Sequence, residues 1–240
     1  TLISIITMFI ISGAGIFGSS VGAAACLTGV ILGGILITFA VSKLFSTTVL
    51  KGYSSAFCLE LPPFRRPQVG KIIVRSILDR TVFVLGRAVA VAAPAGLVIW
   101  LFANVDINGI TLLETVTGFL NPFAEVFGLD GVILTAFILG FPANEIVFPI
   151  IIMAYMSEGN LSSMEDLSVL KNLLIDNGWT LCTALCVMIF TLCHWPCSTA
   201  LLTVKKETGS LKWTAFSAVL PTTVGLLLCL IVKTAFSIFA

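Results

Sequence analysis

Asn144 and Glu145 stand between Pro142 and Pro149 in the middle of an apolar run, FPANEIVFP (141–149). An ionisable side chain at membrane depth costs at least ~2.5–3.5 kcal/mol on insertion scales and is kept where it faces a partner or a water-filled path. Proline lacks a backbone N–H, so each one frees a carbonyl that a helix would otherwise use. Irregular backbone at that depth is tolerated only against protein or a cavity. A carboxylate, a carboxamide and loose carbonyls together make a cation site. The structural alternative for Glu145 is an ion pair with a buried Arg, or the cap of a half-helix. A second cluster, Cys193, His194 and Cys197, closes a later apolar run, with Pro196 interrupting it. Imidazole and thiolate suit borderline and soft transition metals, and carboxylates suit harder ones. The spacing is not that of a paired CxxC zinc site. Cys182, Cys186, Cys193 and Cys197 also recur near helical spacing, for which plain packing is the alternative. No phosphate loop, dinucleotide fingerprint, HExxH or nucleophile elbow occurs, so no catalytic or cofactor-binding residue is expected and the chain is not read as an enzyme.

The elements that must position these residues are membrane helices. Of 240 residues, 58% are hydrophobic and only 10% are charged, with a mean hydropathy of +1.11. Soluble domains carry about 25% charged residues, and a chain this short cannot hide so much apolar surface from water. The fold class expected is all-α: a polytopic integral membrane bundle with Pro-broken or re-entrant helices, in a multi-pass cell-membrane protein. A net charge of +1 gives no reason to expect a nucleic-acid partner; lipid is the expected surrounding. The seven cysteines lie mostly in apolar stretches, where they behave as small hydrophobes, and no disulfide framework is expected.

About 20 apolar residues cross the hydrocarbon core as a helix. Crossings are expected at 1–17, at 21–41, where Gly29, Gly33 and Gly34 permit close helix packing, at 88–103, 179–197 and 214–239. Residues 43–87 carry eight basic residues against Glu60 and Asp79, and ELPPFRRP (60–67) within them cannot be regular helix. The chain divides accordingly into 1–87, two transmembrane helices with a basic cytoplasmic or interfacial segment, and 88–240, a transmembrane unit. Residues 104–130 have no Lys or Arg, and 110–127 form an amphipathic stretch suited to the interface. Positive loops mark the cytoplasmic side, which puts 43–87 and 204–212 on one face and 104–130 and 157–178 on the other. Two acidic loops on one face are incompatible with a single crossing by 131–156. Either that segment dips in and returns, or 110–127 crosses as well. The Pro-flanked polar centre favours the re-entrant form. Because Thr1 opens inside an apolar run without an initiator Met, the sequence is read as part of a longer chain.

GFPANEIVFPI (140–150), HWPCSTALLTVKKETGSLKWT (194–214) and FCLELPPFRRP (57–67) resemble, in order and spacing, the membrane region of FeoB-type ferrous iron transporters. The resemblance covers most of the chain. It implies the second of two Gate segments, themselves similar to nucleoside-transporter repeats, with residues 88–240 as the Gate-like part. It also implies Fe(II) as a transported substrate rather than a cofactor. The partners implied are an amino-terminal GTPase domain and a first Gate segment, neither of which matches residues here, and an oligomer is compatible with it. By the resemblance Glu145, Asn144 and Cys197 lie along an iron path, with His194 and Cys193 as further candidate ligands. A Gate-type transporter of another substrate, a nucleoside or another divalent metal, is the competing reading, and a scaffold that conducts nothing is a third.

Overall fold

The computed structural model describes residues 20–48, 69–76, 82–107, 109–156 and 167–239. The expected first crossing at 1–17, the ELPPFRRP segment and the loop at 157–166 lie outside them, as does the side chain of Arg87.

Helix α1 (Ser20–Thr48) is followed by the short basic α2 (Val69–Ser76) and by α3 (Phe83–Asn104). A two-residue antiparallel ribbon, β1 (Asp106–Ile107) with β2 (Ile110–Thr111), turns the chain into α4 (Leu112–Val126). This ribbon is a small departure from the all-helical expectation. Thr111 and Glu114 close a reciprocal capping box at the start of α4, which fixes where the helix begins. Then come α5 (Gly131–Leu139), a 3-10 turn at Asn144–Ile146, α6 (Val147–Met156), α7 (Leu167–Asp176), α8 (Leu181–Cys193), α9 (Ser198–Thr208) and α10 (Leu211–Phe239). Among the described residues, three stretches are long and apolar enough to cross a membrane: Leu27–Thr48, Leu181–Thr208 and Leu211–Ile238. With them the chain is a multi-pass membrane helical protein.

α4 and α5 meet at 109°. α4 exposes Phe119 and Phe123 while burying Leu113 and Ala124, the pattern of a helix lying across the end of a bundle. The corner is tight. A Cβ on Gly131 would fall 2.1 Å from the Thr117 carbonyl oxygen, and Asn121 Oδ1 accepts the Gly131 N–H at 2.9 Å.

α5 and α6 run antiparallel and return to one face. The Tyr155 hydroxyl, at the end of α6, donates to the Asp130 carboxylate that caps α5, and Trp179 Nε1 donates to the Tyr155 oxygen at 2.8 Å. Segment 131–156 is therefore a helical hairpin whose two ends lie together, the form expected of a segment that dips in and returns. α8 and α9 behave differently. Both oppose α10, so Leu181–Thr208 crosses as one interrupted span. Fully buried Ile133, Phe137, Ile150, Ile151, Met188 and Phe190 fill the space between hairpin and span.

The same joint is used twice. Gly128 (φ +73°) ends α4 and Gly178 (φ +82°) ends α7, a left-handed position that glycine adopts without a Cβ penalty. In each joint the next residue, Leu129 or Trp179, donates back to the helix, to Ala124 O and Leu174 O. The residue after that, Asp130 or Thr180, caps the following helix through its side chain.

Among the described residues the glycines of α1 make little close contact. A Cβ on Gly29 or Gly33 would meet nothing within 4 Å, and on Gly34 only Leu192 Cδ1 at 3.6 Å. Close approach is made instead at Gly131, Gly140 and Gly225, where added Cβ atoms would meet backbone oxygens at 2.1, 2.9 and 3.0 Å.

Candidate functional site

The hairpin tip and the interruption of the α8–α9 span adjoin. Ser198 N–H donates to Phe141 O at 3.0 Å, and Ser198 Oγ to Pro142 O at 3.4 Å. Two sequence-distant breaks, FPANEIVFP and HWPC, thus share one place. Pro142 lies within the tip. Pro149 is in the first turn of α6, where its missing N–H has no helical partner to lose. The tip itself is tight because Gly140 stands where a Cβ would come 2.4 Å from Val147 Cγ2.

Asn144 and Glu145 occupy the 3-10 turn, and both are exposed. Glu145 was expected to line a polar cavity or a buried network. Among the described residues the short turn instead leaves it exposed. Cys197 caps α9 with extended backbone and is half-buried, its sulfur 3.1 Å from Thr199 Oγ1. A thiolate there would lie against the positive end of the α9 dipole.

His194 is the more informative residue. Its Nδ1 is 2.8 Å from Thr191 O, and since a carbonyl only accepts, Nδ1 carries the proton. Nε2 keeps a bare lone pair, buried and without a partner among the described residues, and the buried Trp195 Nε1–H donor likewise has none among them. The imidazole is held among Phe137, Phe190 and Trp195, with ring centroids 5.1, 6.1 and 6.1 Å away. The backbone carbonyl sets the tautomer and leaves Nε2 as the accepting nitrogen.

Among the described residues no three His, Cys, Asp or Glu side chains come close enough to hold a metal ion. The five candidates are brought to one region in part only. Cys193 lines an apolar groove between α8, α10 and α1, on which neither Glu145 nor Cys197 borders.

Sequence reading passed over the opposite end of the bundle. Both glycine joints open there on a cavity of about 640 Å³, bordered by Glu125, Asp130, Asn177, Thr180, Cys182 and Lys233 among others. Lys233, well inside the last span, donates to the Glu125 carbonyl and so caps the C-terminal end of α4. The repeated signal, Gly128-Leu129-Asp130 against Gly178-Trp179-Thr180 fifty positions later, was present in the sequence.

The Gate family, described as nucleoside recognition, matches residues 9–211. The Fe(2+) transporter FeoB of Staphylococcus aureus (strain MSSA476) is 29% identical over 195 residues, which is 78% of this chain and 28% of that protein. The Fe(2+) transporter FeoB of Leptospira interrogans (serovar copenhageni) is 25% identical over 216 residues, 80% of this chain and 30% of that protein. That of Leptospira biflexa is 25% identical over 197 residues, with 75% and 28% covered. The chain spans less than a third of the length of these relatives. No solved structure matches. The resemblance to the membrane region of FeoB-type transporters is thereby shown, and by the match over most of its length the chain belongs to the Gate family.

Proposed function

We propose that the chain forms part of a permeation path for Fe(II), with the ion passing the junction of the two helix breaks. The observation that carries this reading is the Ser198 contact to Phe141 and Pro142, which couples a carboxylate-bearing tip to a thiol- and imidazole-bearing interruption. The relatives, each a Fe(2+) transporter by name, support the choice of ion. Fe(II) takes mixed carboxylate, imidazole and thiolate ligands. On this reading Glu145 supplies the charge that attracts the cation, and Asn144 a neutral oxygen. Cys197 and His194 Nε2 then exchange with its waters one at a time. Ligands that are spread along a route, and not gathered in a cage, suit an ion that must leave as readily as it arrives. No catalytic step is assigned to the chain. Coupling to GTP hydrolysis would belong to a domain outside it, and a first Gate segment would complete the path.

The test is uptake of labelled iron by cells under reducing conditions, with substitutions made in the full-length protein. Glu145→Gln keeps size and hydrogen bonding but removes the charge, and is expected to cut uptake at least tenfold at unchanged expression. Cys197→Ser should weaken it less. Wild-type rates in Glu145→Gln would remove that residue from the path. The description of the family favours one second reading, transport of a nucleoside. Competition of iron uptake by excess nucleoside, or nucleoside uptake abolished by the same substitutions, would decide for it.

A further inference from the structure

Away from the breaks, α1 lies beside α8 and α10 and leaves an apolar groove along its length. Its two stretches have volumes of about 340 and 320 Å³ and share Ile37, Leu192 and Cys193. The deep stretch is lined by Gly29 and Gly33, at each of which an added Cβ would meet no atom of the described residues within 4 Å. The shallow stretch passes Thr38, Ser42 and Pro221 and ends at Phe45. There the Phe45 ring meets Phe216 edge-on at 5.0 Å, and Phe216 meets Trp213 at 5.9 Å. This aromatic cluster marks a membrane interface. Lys43 on α1 and Lys212 on α10 are exposed beside it, and Lys205 and Lys206 end α9 on the same side. Gly33 lies about 15 Å along α1 from Lys43 at 1.5 Å per residue, which is half the ~30 Å hydrocarbon core.

A furrow as deep as one leaflet, apolar but for Thr38 and Ser42, with aromatic rings and cations at its mouth, matches one kind of molecule. We infer that this groove binds an anionic phospholipid, its phosphate at Lys43 and Lys212 and an acyl chain running past Ile37 to Gly33. The positive charge at the mouth selects an anionic lipid over the zwitterionic bulk, and the glycine-lined stretch distinguishes a seated chain from lipid sliding over a closed helix face. This inference is independent of the iron reading, because none of the groove-lining residues except Cys193 is a candidate ligand.

The experiment places the membrane-embedded protein in nanodiscs of phosphatidylcholine doped with a photoactivatable phosphatidylglycerol, and maps the crosslinked peptides. Label is expected on 29–45 and 220–232, displaced by unlabelled phosphatidylglycerol and not by added phosphatidylcholine. Lys43→Gln with Lys212→Gln should lower it roughly tenfold or more, at about fivefold per lysine near an anionic headgroup. Gly33→Leu, whose Cβ would meet no described atom within 4 Å, extends a side chain into the groove and should abolish it while the protein keeps its thermal stability. Equal displacement by phosphatidylcholine, or label indifferent to both lysines, would overturn the inference in favour of unselective surrounding lipid. Crosslinks from the groove to a second copy or to another helix of a longer chain, in place of lipid, would overturn it in favour of a protein occupant.

Discussion

Replacing Gly131 by alanine tests the corner on which the helical hairpin hangs. The added methyl would need to occupy a point 2.1 Å from the Thr117 carbonyl oxygen and 3.0 Å from Asn121 N. Ordinary contact begins near 3.4 Å, so α4 and α5 must part by more than an ångström. Both opposing atoms are backbone, so no rotamer change relieves the clash. Overpacking of this kind costs ~1–3 kcal/mol, and the rigid neighbours put it at the upper end. Parting the helices also stretches the 2.9 Å bond from Gly131 N–H to Asn121, worth roughly 1 kcal/mol. The two together give about 3–4 kcal/mol. Equilibrium unfolding in mixed micelles, followed by tryptophan fluorescence, measures it. Gly118→Ala, on the same α4 with nothing within 4 Å of the new methyl, is the control, expected at zero or slightly stabilising through helix propensity. If Gly131→Ala unfolds with the wild type or with the control, the 109° corner is not set by this contact and the account of the hairpin's root fails.

Tyr155→Phe removes the hydroxyl between Asp130 and Trp179 and should cost about 1–3 kcal/mol, with faster protease cleavage at the hairpin root as the readout. Lys233→Met keeps the apolar stem but deletes the cap on α4; a loss of roughly 1 kcal/mol is expected, shrinking at high salt if the ammonium acts through the helix dipole. His194→Gln should lower Fe(II) uptake, whereas a purely packing role for the ring predicts that Phe at that position restores it; uptake by the two variants separates the cases. Cysteines placed singly at Thr208 and Asn177 in a Cys-free background should react with impermeant reagent from opposite faces, and labelling from one face would refute the single interrupted crossing of 181–208.

Much of the fold could be read from the chain because proline, charge and apolar length act locally. Pro142 and Pro196 announced both breaks, and two acidic loops flanking one apolar segment pointed to a return of 131–156 or a further crossing by 110–127. What could not be read depends on partners far off in sequence. Glycine spacing alone cannot tell an occupied furrow from an empty one, so Gly29 and Gly33 looked like packing sites while Gly131 and Gly225 did that work. Glu145 could be singled out as a candidate, but its exposure on a 3-10 turn is something composition does not specify. The bare Nε2 of His194 needs the Thr191 carbonyl in place before it exists at all. The Ser198 bridge joins residues more than fifty positions apart and left no trace in either segment.

The hairpin is attached unequally at its two ends. At the root, Asp130, Tyr155 and Trp179 are bonded in series and the Gly131 corner is locked against backbone. At the tip, two hydrogen bonds from one serine, the second of them long at 3.4 Å, hold the junction. At a net 0.5–1.5 kcal/mol per bond, parting the tip costs about 1–3 kcal/mol by this count. Those two bonds alone would leave the parted form at roughly 1–15% of molecules, and the packing of Phe137 on Phe190 and His194 lowers that share. Such a part acts mechanically as a pawl, anchored at one end and lifted at the other by thermal energy, and a ligand that bound the parted form tenfold better would need to supply only ~1.4 kcal/mol to hold it up.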